Sequence, residues 1–235
     1  MRSFEVHDLG RMSWAAAYER QHALVGQRQR GEIVDQLLLV EHPHVVTLGR
    51  NAQEENILAP AALLASKGID LEETNRGGDV TYHGPGQIVG YPILLLNDWK
   101  RDVHAYVRAI EEVIIRALRE FGVTGERSSL NSGVWVEGTE GLAKICAIGV
   151  HISRWVTSHG FALNHSTDLR YFGYIVPCGL RAPVTSLEQH LAGRRLPSRA
   201  QVIDAIVFHF GQVFEFNNPA AASFAGNTAL LETAP

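Results

Sequence analysis

The chain has 235 residues, 46% of them hydrophobic and 20% charged, with a formal net charge of -4. That balance suits a globular protein with a sizeable buried core and argues against generic nucleic-acid binding. No apolar run approaches the roughly 20 residues that span a bilayer, and the opening Met1–Gly10 alternates like a strand without the apolar region of a secretory leader.

A helix is predicted over residues 12–29, with Trp14, Ala15, Tyr18, His22 and Val25 along one side. The apolar run Gln36–Val40, closed by the turn-forming Glu41-His42-Pro43, reads as a buried strand, and His44–Leu48 as another. Pro60–Ser66 suits a short helix, with Pro in its first turn and Gly68 beyond its end. Residues 71–96 read as strands broken by glycine turns. Val103, Tyr106, Ile110, Val113, Ile114, Ala117 and Phe121 recur at helical spacing, with Gly122 at the C-cap. Short strands follow at Gly133–Val136, Ala143–Val150, Arg154–Thr157 and Phe161–Asn164, then a helix from Arg199 to Phe214. Strands grouped between a few helices, without steady alternation, predict an α+β fold. We expect one domain over residues 1–216 and a loose tail over 217–235.

Three places can carry chemistry. In the first, Arg76-Gly77-Gly78-Asp79-Val80-Thr81-Tyr82-His83-Gly84-Pro85-Gly86-Gln87, glycines permit sharp turns and close backbone approach while Arg, Asp, Tyr and His supply polar contacts. The segment lacks the GK[ST] element of a P-loop, and on pattern alone two tight turns flanking a short strand Val80–Tyr82 would explain it. The second is Cys178, between Pro177 and Gly179, where a turn can expose a thiol beside free N–H groups. The alternative is a small buried hydrophobe, the usual fate of a free cysteine. The third is Lys144, the one charged residue in Gly141–Val150. In a strand it would share a face with Cys146 and Ile148, and desolvation there favours a neutral amine able to carry protons. It could instead blunt an edge strand. The 11 histidines include no pair with zinc-ligand spacing, so no metal is expected. His83 and His159, each beside a glycine near these segments, are candidates to line a pocket. With only Cys146 and Cys178, no disulfide framework is available, and in the cytoplasmic location expected both thiols stay reduced.

Taken in order, Glu41-His42-Pro43 with Thr47-Leu48-Gly49-Arg50, Arg76–Gln87, Gly141–Val150, His159–Asn164, Ile175–Leu180 and Thr185-Ser186-Leu187 resemble the lipoyl(octanoyl) transferases across about the first 190 residues. The resemblance implies the biotin/lipoate protein ligase catalytic fold, a mixed sheet with flanking helices. It implies a cysteine–lysine dyad at Cys178 and Lys144. It also implies an acyl pocket lined by Arg76, Gly77, Gly78, Asp79, Val80, Thr81, Tyr82 and His83, with Ala147, Ile148, Gly149, Gly160, Phe161 and Ala162. The activity implied is transfer of octanoyl from octanoyl-acyl carrier protein, borne on a phosphopantetheine arm, to a lysine of apo lipoyl domains. Those domains include 2-oxoacid dehydrogenase E2 subunits and the glycine cleavage H protein. The resemblance implies a reaction without ATP or a metal, and neither a nucleic acid nor a membrane is expected as a partner.

Cys146, where the family pattern suggests a small residue, leaves open which sulfur Lys144 activates. Val80, Tyr82, Ile148 and Phe161 are candidates for the wall of an apolar channel. Residues 151–200 carry six arginines against Asp168 and Glu188, a formal +4 that suits either a solvated face or docking of an acidic carrier. An ATP-dependent ligase of the same fold, a silent acyl-binding domain and a Cys–His amidase are the competing readings.

Overall fold

A computed structural model describes residues 2–129, 131–139, 141–179 and 182–217, with Cys178 described by its backbone alone. Two sheets organise the chain. The larger has six strands in the order β1 (Phe4–Arg11), β2 (Asp35–Glu41), β6 (Gln87–Ile93), β9 (Val156–Asn164), β8 (Gly141–Ser153) and β7 (Gly133–Gly138). The β1–β2 pair is parallel and the other pairs are antiparallel. The smaller sheet has the order β4 (Asp70–Glu73), β3 (Val45–Leu48), β5 (Val80–His83), parallel between β4 and β3 and antiparallel between β3 and β5.

Helices cover both faces of the larger sheet. On one face lie α3 (Val103–Glu120) and α5 (Arg199–Val213), which pack on each other. Tyr106, Ile110, Val113, Ile206 and Phe210 join Leu37, Leu39, Ile88, Val134, Ile145 and Cys146 in the main core there. Local sequence sets these ends: Asp102 caps α3 by accepting from Ala105 N–H (3.0 Å), and Ser198 with Gln201 forms a capping box at α5. Two short helices, α2 (Ala61–Ser66) and α4 (Leu187–His190), complete the set.

The opposite face carries α1 (Trp14–Gln29), whose Ala17 meets Leu38, Val40, Val89, Tyr91 and Ala162. Its buried stripe is Trp14, Ala17 and Gln21, offset from the aromatic stripe that the sequence suggests. Tyr18 stacks on Trp14 and meets His22 edge-on along the flank of the helix (centroids 4.6 and 4.4 Å apart).

The strand expected at Arg154–Thr157 begins at Val156. Arg154 and Trp155 form the two-residue turn of the β8–β9 hairpin, with φ of 48° and 64° and with Ser153 paired to Val156. This is the geometry of a type I′ turn, built without the Asn or Gly that announces one. At the other end, Asn217 N–H donates to Arg2 O at 3.2 Å, and the rest of the expected tail lies outside the described residues. No helix among the described residues is long and apolar enough to cross a membrane.

Candidate active site

Between the two sheets runs a cleft of about 480 Å³, counting the space open to solvent. Its floor is the α1-side face of the larger sheet. There, cross-strand partners Ala147↔Ala162 and Gly149↔Gly160 face it side by side, leaving a strip almost free of side-chain bulk. Val89 and Tyr91 of β6, Thr81 and His83 of β5, Trp14 of α1 and His159 complete the walls. The strip must be small: a Cβ on Gly149 would lie 2.9 Å from Gly77 O, and one on Gly160 2.2 Å from Gly90 O.

The glycine-rich segment closes one side. Gly77 N–H donates to Val150 O (2.9 Å), fastening it to β8, while Gly49 N–H, Arg50 N–H and Asn51 N–H donate to Asp79 O, Arg76 O and Gly78 O. The buried Arg76 guanidinium grips Thr47 of β3, with Nη2 2.6 Å from the carbonyl oxygen and 3.0 Å from Oγ1.

Of the residues expected in the pocket, Arg76, Gly77, Gly78, Thr81, His83, Ala147, Ile148, Gly149, Gly160, Phe161 and Ala162 border this cleft; Asp79, Val80 and Tyr82 do not. Strand alternation explains the difference. Thr81 and His83 face the cleft, so Val80 and Tyr82 face away, into a second core with Val46, Leu64, Ile69 and Ile175. Phe161 likewise packs its ring into the main core, in the space left by Gly90, where a Cβ would come within 2.1 Å of it. Trp14, Val89 and Tyr91 belong to the cleft but carried no signal in sequence beyond their apolarity.

The Pro177–Gly179 turn rests against β5. Val176 N–H donates to Asn56 O (2.8 Å), and Ile175 inserts beside Val80 and Tyr82. Asp79 ties this turn to the glycine-rich segment: its carboxylate accepts from Asn56 Nδ2 (2.5 Å), Gln53 N–H (3.1 Å) and Val80 N–H (2.8 Å). The same carboxylate lies where Gly179, at φ 67°, would carry a Cβ, 2.8 Å away. Glycine is therefore required at 179 both by conformation and by space. The Cys178 side chain lies outside the described residues. Of the N–H groups expected to be free beside Cys178, that of Gly179 is committed to Val176 O (3.2 Å), as that of Gly77 in the glycine-rich segment is to Val150 O.

Lys144 does not share a face with Cys146. The β7–β8 ladder pairs Trp135 with Lys144 but Val134 with Cys146, so Ile145 is an extra residue in a β-bulge. Val134, Ile145 and Cys146 all enter the main core, and Lys144 turns to the other face, that of Ala147 and Gly149. Its Nζ lies 4.7 Å from the Trp135 ring centroid and donates to Asn131 Oδ1 and to Ser132 O (3.4 Å). Its backbone is held by Pro183 O and Thr185 N–H. Cys146 is fully buried, and burial pushes its thiol far up, away from the reactive thiolate.

Three imidazoles near the cleft are held neutral. Burial lowers His42 to about 4; burial with the neighbouring His42 lowers His83 to about 3; burial with the Arg76 charge lowers His159 to about 3. Main-chain carbonyls settle which nitrogens carry protons. Gln87 Nε2 donates to Tyr82 O (3.2 Å) and to Asn164 Oδ1 (2.9 Å), so Gln87 Oε1 accepts from His83 Nδ1 (2.8 Å) and His83 Nε2 is a lone-pair acceptor. His42 Nδ1 donates to Met12 O (2.8 Å), so its Nε2 accepts from Tyr91 Oη (2.8 Å). His159 sits at φ 54°, its N–H given to Gln21 Oε1 (2.9 Å) and its Nε2 against Asn75 Oδ1 (2.7 Å). A non-glycine residue held in that region at a cleft is a mark of imposed geometry.

The arginines of residues 151–200 do not form one free patch. Arg170 is bidentate on Asp168, Arg199 is bidentate on Asp8, and Arg154 reaches back to Gln29. Arg181 lies outside the described residues. Among the described residues, no group of three or more His, Cys, Asp or Glu is placed to hold a metal ion.

A cleft between a six-stranded mixed sheet and a small three-stranded one, closed by a glycine-rich segment, is the arrangement of the biotin/lipoate protein ligase catalytic fold. A bipartite lipoate protein ligase of Thermoplasma acidophilum, in a structure of an archaeal lipoylation system with its E2 lipoyl domain, superposes at TM-score 0.71. It is 16% identical, and the match covers 95% of this chain and 86% of that one. Biotin protein ligase of Aquifex aeolicus superposes at TM-score 0.51 with 10% identity, over 94% of this chain and 73% of that one. Within that fold the chain belongs to the lipoyl protein ligase A/B catalytic domain family, whose model matches residues 13–211. An octanoyltransferase of Solibacter usitatus (strain Ellin6076) is 55% identical over 225 residues, 96% of this chain and 99% of that protein.

Proposed function

We propose that this protein is an octanoyltransferase that moves octanoyl from octanoyl-acyl carrier protein, through a thioester on Cys178, to a lysine of a lipoyl domain. The observation that carries the reading is the cleft: a strip of alanines and glycines bordered by the glycine-rich segment, with Lys144 on the same face. The likeness to the Solibacter usitatus octanoyltransferase supports it.

Lys144 takes the Cys178 proton, and the thiolate attacks the thioester carbonyl of the pantetheine arm. The new C–S bond forms at Cys178, the pantetheine C–S bond breaks, and the leaving sulfur takes its proton from Lys144. In the second half, the acceptor amine attacks and gives its proton to Lys144. The C–N bond forms, the Cys178 C–S bond breaks, and the cysteine sulfur is reprotonated. With Gly77 N–H and Gly179 N–H committed, the oxyanion falls to the N–H groups of Gly78 and Cys178. Thioester to amide runs downhill, so neither ATP nor a metal is needed. The acceptors are lipoyl domains such as those of 2-oxoacid dehydrogenase E2 subunits and the glycine cleavage H protein, and the reaction belongs to the cytoplasm.

Incubation with octanoyl-carrier and no acceptor, followed by intact mass measurement, tests the reading. An octanoyl adduct is expected on the wild type and on Cys146→Ser, and none on Cys178→Ser. An unmodified wild type that transfers octanoate only with ATP would make it a ligase.

A further inference from the structure

Glu111 lies on α3, buried with 1% of its surface exposed beneath the exposed Arg108 and Arg127. A carboxylate in such a place is destabilising unless its charge and lone pairs are met. Each oxygen of Glu111 is engaged, and both act on one stretch of chain. Oε2 accepts from Arg127 Nε at 3.2 Å and from Arg108 Nη1 at 2.8 Å; Oε1 accepts from the backbone N–H of Gly133 at 3.1 Å. Arg127 is fastened to α3 twice more, through Nη2 to Arg108 O (3.2 Å) and to Glu112 Oε2 (2.7 Å). Arg127 and Gly133, the ends of a span whose residue 130 lies outside the described residues, are therefore pinned to the same carboxylate.

Within that span lie Asn131 and Ser132, the residues whose oxygens accept from Lys144 Nζ. Gly133, the pinned end, lies against the lysine's own stem: a Cβ there would be 3.4 Å from Lys144 Cε and 2.6 Å from Cys146 O. The path from Glu111 to Nζ is thus short: carboxylate, Gly133 N–H, then Ser132 and Asn131.

We propose that Glu111 is a positioning residue for Lys144, holding Arg127 and Gly133 so that the adjoining Asn131 and Ser132 fix where Nζ points. This rests on the reading of Lys144 as the proton carrier. Glu111 touches no substrate; it acts through the span, and a core helix thereby sets the aim of a group on the opposite side of the sheet.

The test is single-turnover acylation of Cys178 by octanoyl-carrier as a function of pH, in wild type, Glu111→Ala, Glu111→Gln, Asn131→Ala and Lys144→Ala. Glu111→Ala is expected to lower the saturating rate roughly tenfold or more with the half-saturating donor concentration within about twofold, and to shift the pH limb that Lys144 sets by at least about half a unit. Glu111→Gln keeps an acceptor for Gly133 N–H and should recover most of the rate. Asn131→Ala leaves the pinning carboxylate intact and removes an oxygen that holds Nζ, so it should shift the same limb even if Glu111→Ala folds poorly. A wild-type rate and an unmoved limb in Asn131→Ala, with Glu111→Ala changed only in its melting temperature, would overturn the proposal. Acylation of Lys144→Ala at the wild-type rate would instead remove Lys144 from the chemistry, an outcome separate from any effect at Glu111.

Discussion

Lys144 stands opposite Trp135, its Nζ 4.7 Å from the ring centroid, while Cys146, two residues on, faces the far side of the sheet. The single extra residue Ile145 makes that separation, since plain alternation would have put the lysine and this thiol on one face. Cys146 should therefore be chemically silent. In native Cys178→Ser protein, alkylation by iodoacetamide at Cys146 is expected to require unfolding, and Cys146→Ala should accept octanoyl on Cys178 at the wild-type rate. Rapid native alkylation, read by mass, would mean that the bulge does not bury this thiol in solution.

The width of the cleft floor rests on alanine. Replacing Ala147 by Val adds two methyl groups to the strip formed with Ala162, Gly149 and Gly160. Because one methylene in an apolar pocket is worth about 1–3 kcal/mol, the preference for octanoyl over hexanoyl donors should fall by about tenfold or more. Competition between the two donors measures the ratio directly. An unchanged ratio would place the acyl chain elsewhere.

Acid stability follows from the imidazoles. His42, His83 and His159 have folded values near 4, 3 and 3, below the usual 6.5, so between those limits the unfolded chain binds protons that the folded protein refuses. Stability is then complete above pH 6.5 and falls as the pH drops toward 4, by on the order of 1 kcal/mol per unit for each imidazole. Urea denaturation at pH 7.5, 6 and 5 should show a falling midpoint, and a flat profile would contradict the burial of these rings.

The hairpin turn at Arg154 and Trp155 offers a gain. Both residues sit at positive φ, which asparagine tolerates better than arginine. Arg154→Asn should stabilise by about 0.5–1 kcal/mol, a rise of roughly 1–3 °C in Tm, against the loss of an exposed contact to Gln29. A lower Tm would mean that the Arg154 contact outweighs the strain.

Helical spacing made α3 and α5 legible because long apolar side chains recur on one face of each. α1 was legible in extent and in the burial of Trp14, but the rest of its stripe was not: weight on Tyr18, His22 and Val25 misses Ala17 and Gln21, the residues that meet the sheet. The β8–β9 hairpin was hidden by a turn with no glycine. Segments around the cleft were legible as glycine-rich stretches, but not the direction of each side chain. That depended on the Ile145 bulge, on His159 at positive φ, and on which strand lies opposite which. Glu111 gave no signal at all, since a helical glutamate among arginines reads as solvated surface until Gly133 is seen to return beneath it.

The parts of the proposed reaction hang from different supports. Lys144 and the alanine–glycine strip belong to the larger sheet, whereas the turn bearing Cys178 leans on β5 and the Glu54–Asn56 turn through Ile175, Val176 and the neighbouring Asp79. On the proposed reading, the ruler for an acyl chain and the group that opens its carbonyl would thus be separate pieces of hardware. Rewriting residues 175–179 would exchange one mode of activation for another while the ruler kept its length, so substrate choice and reaction type can be altered one at a time.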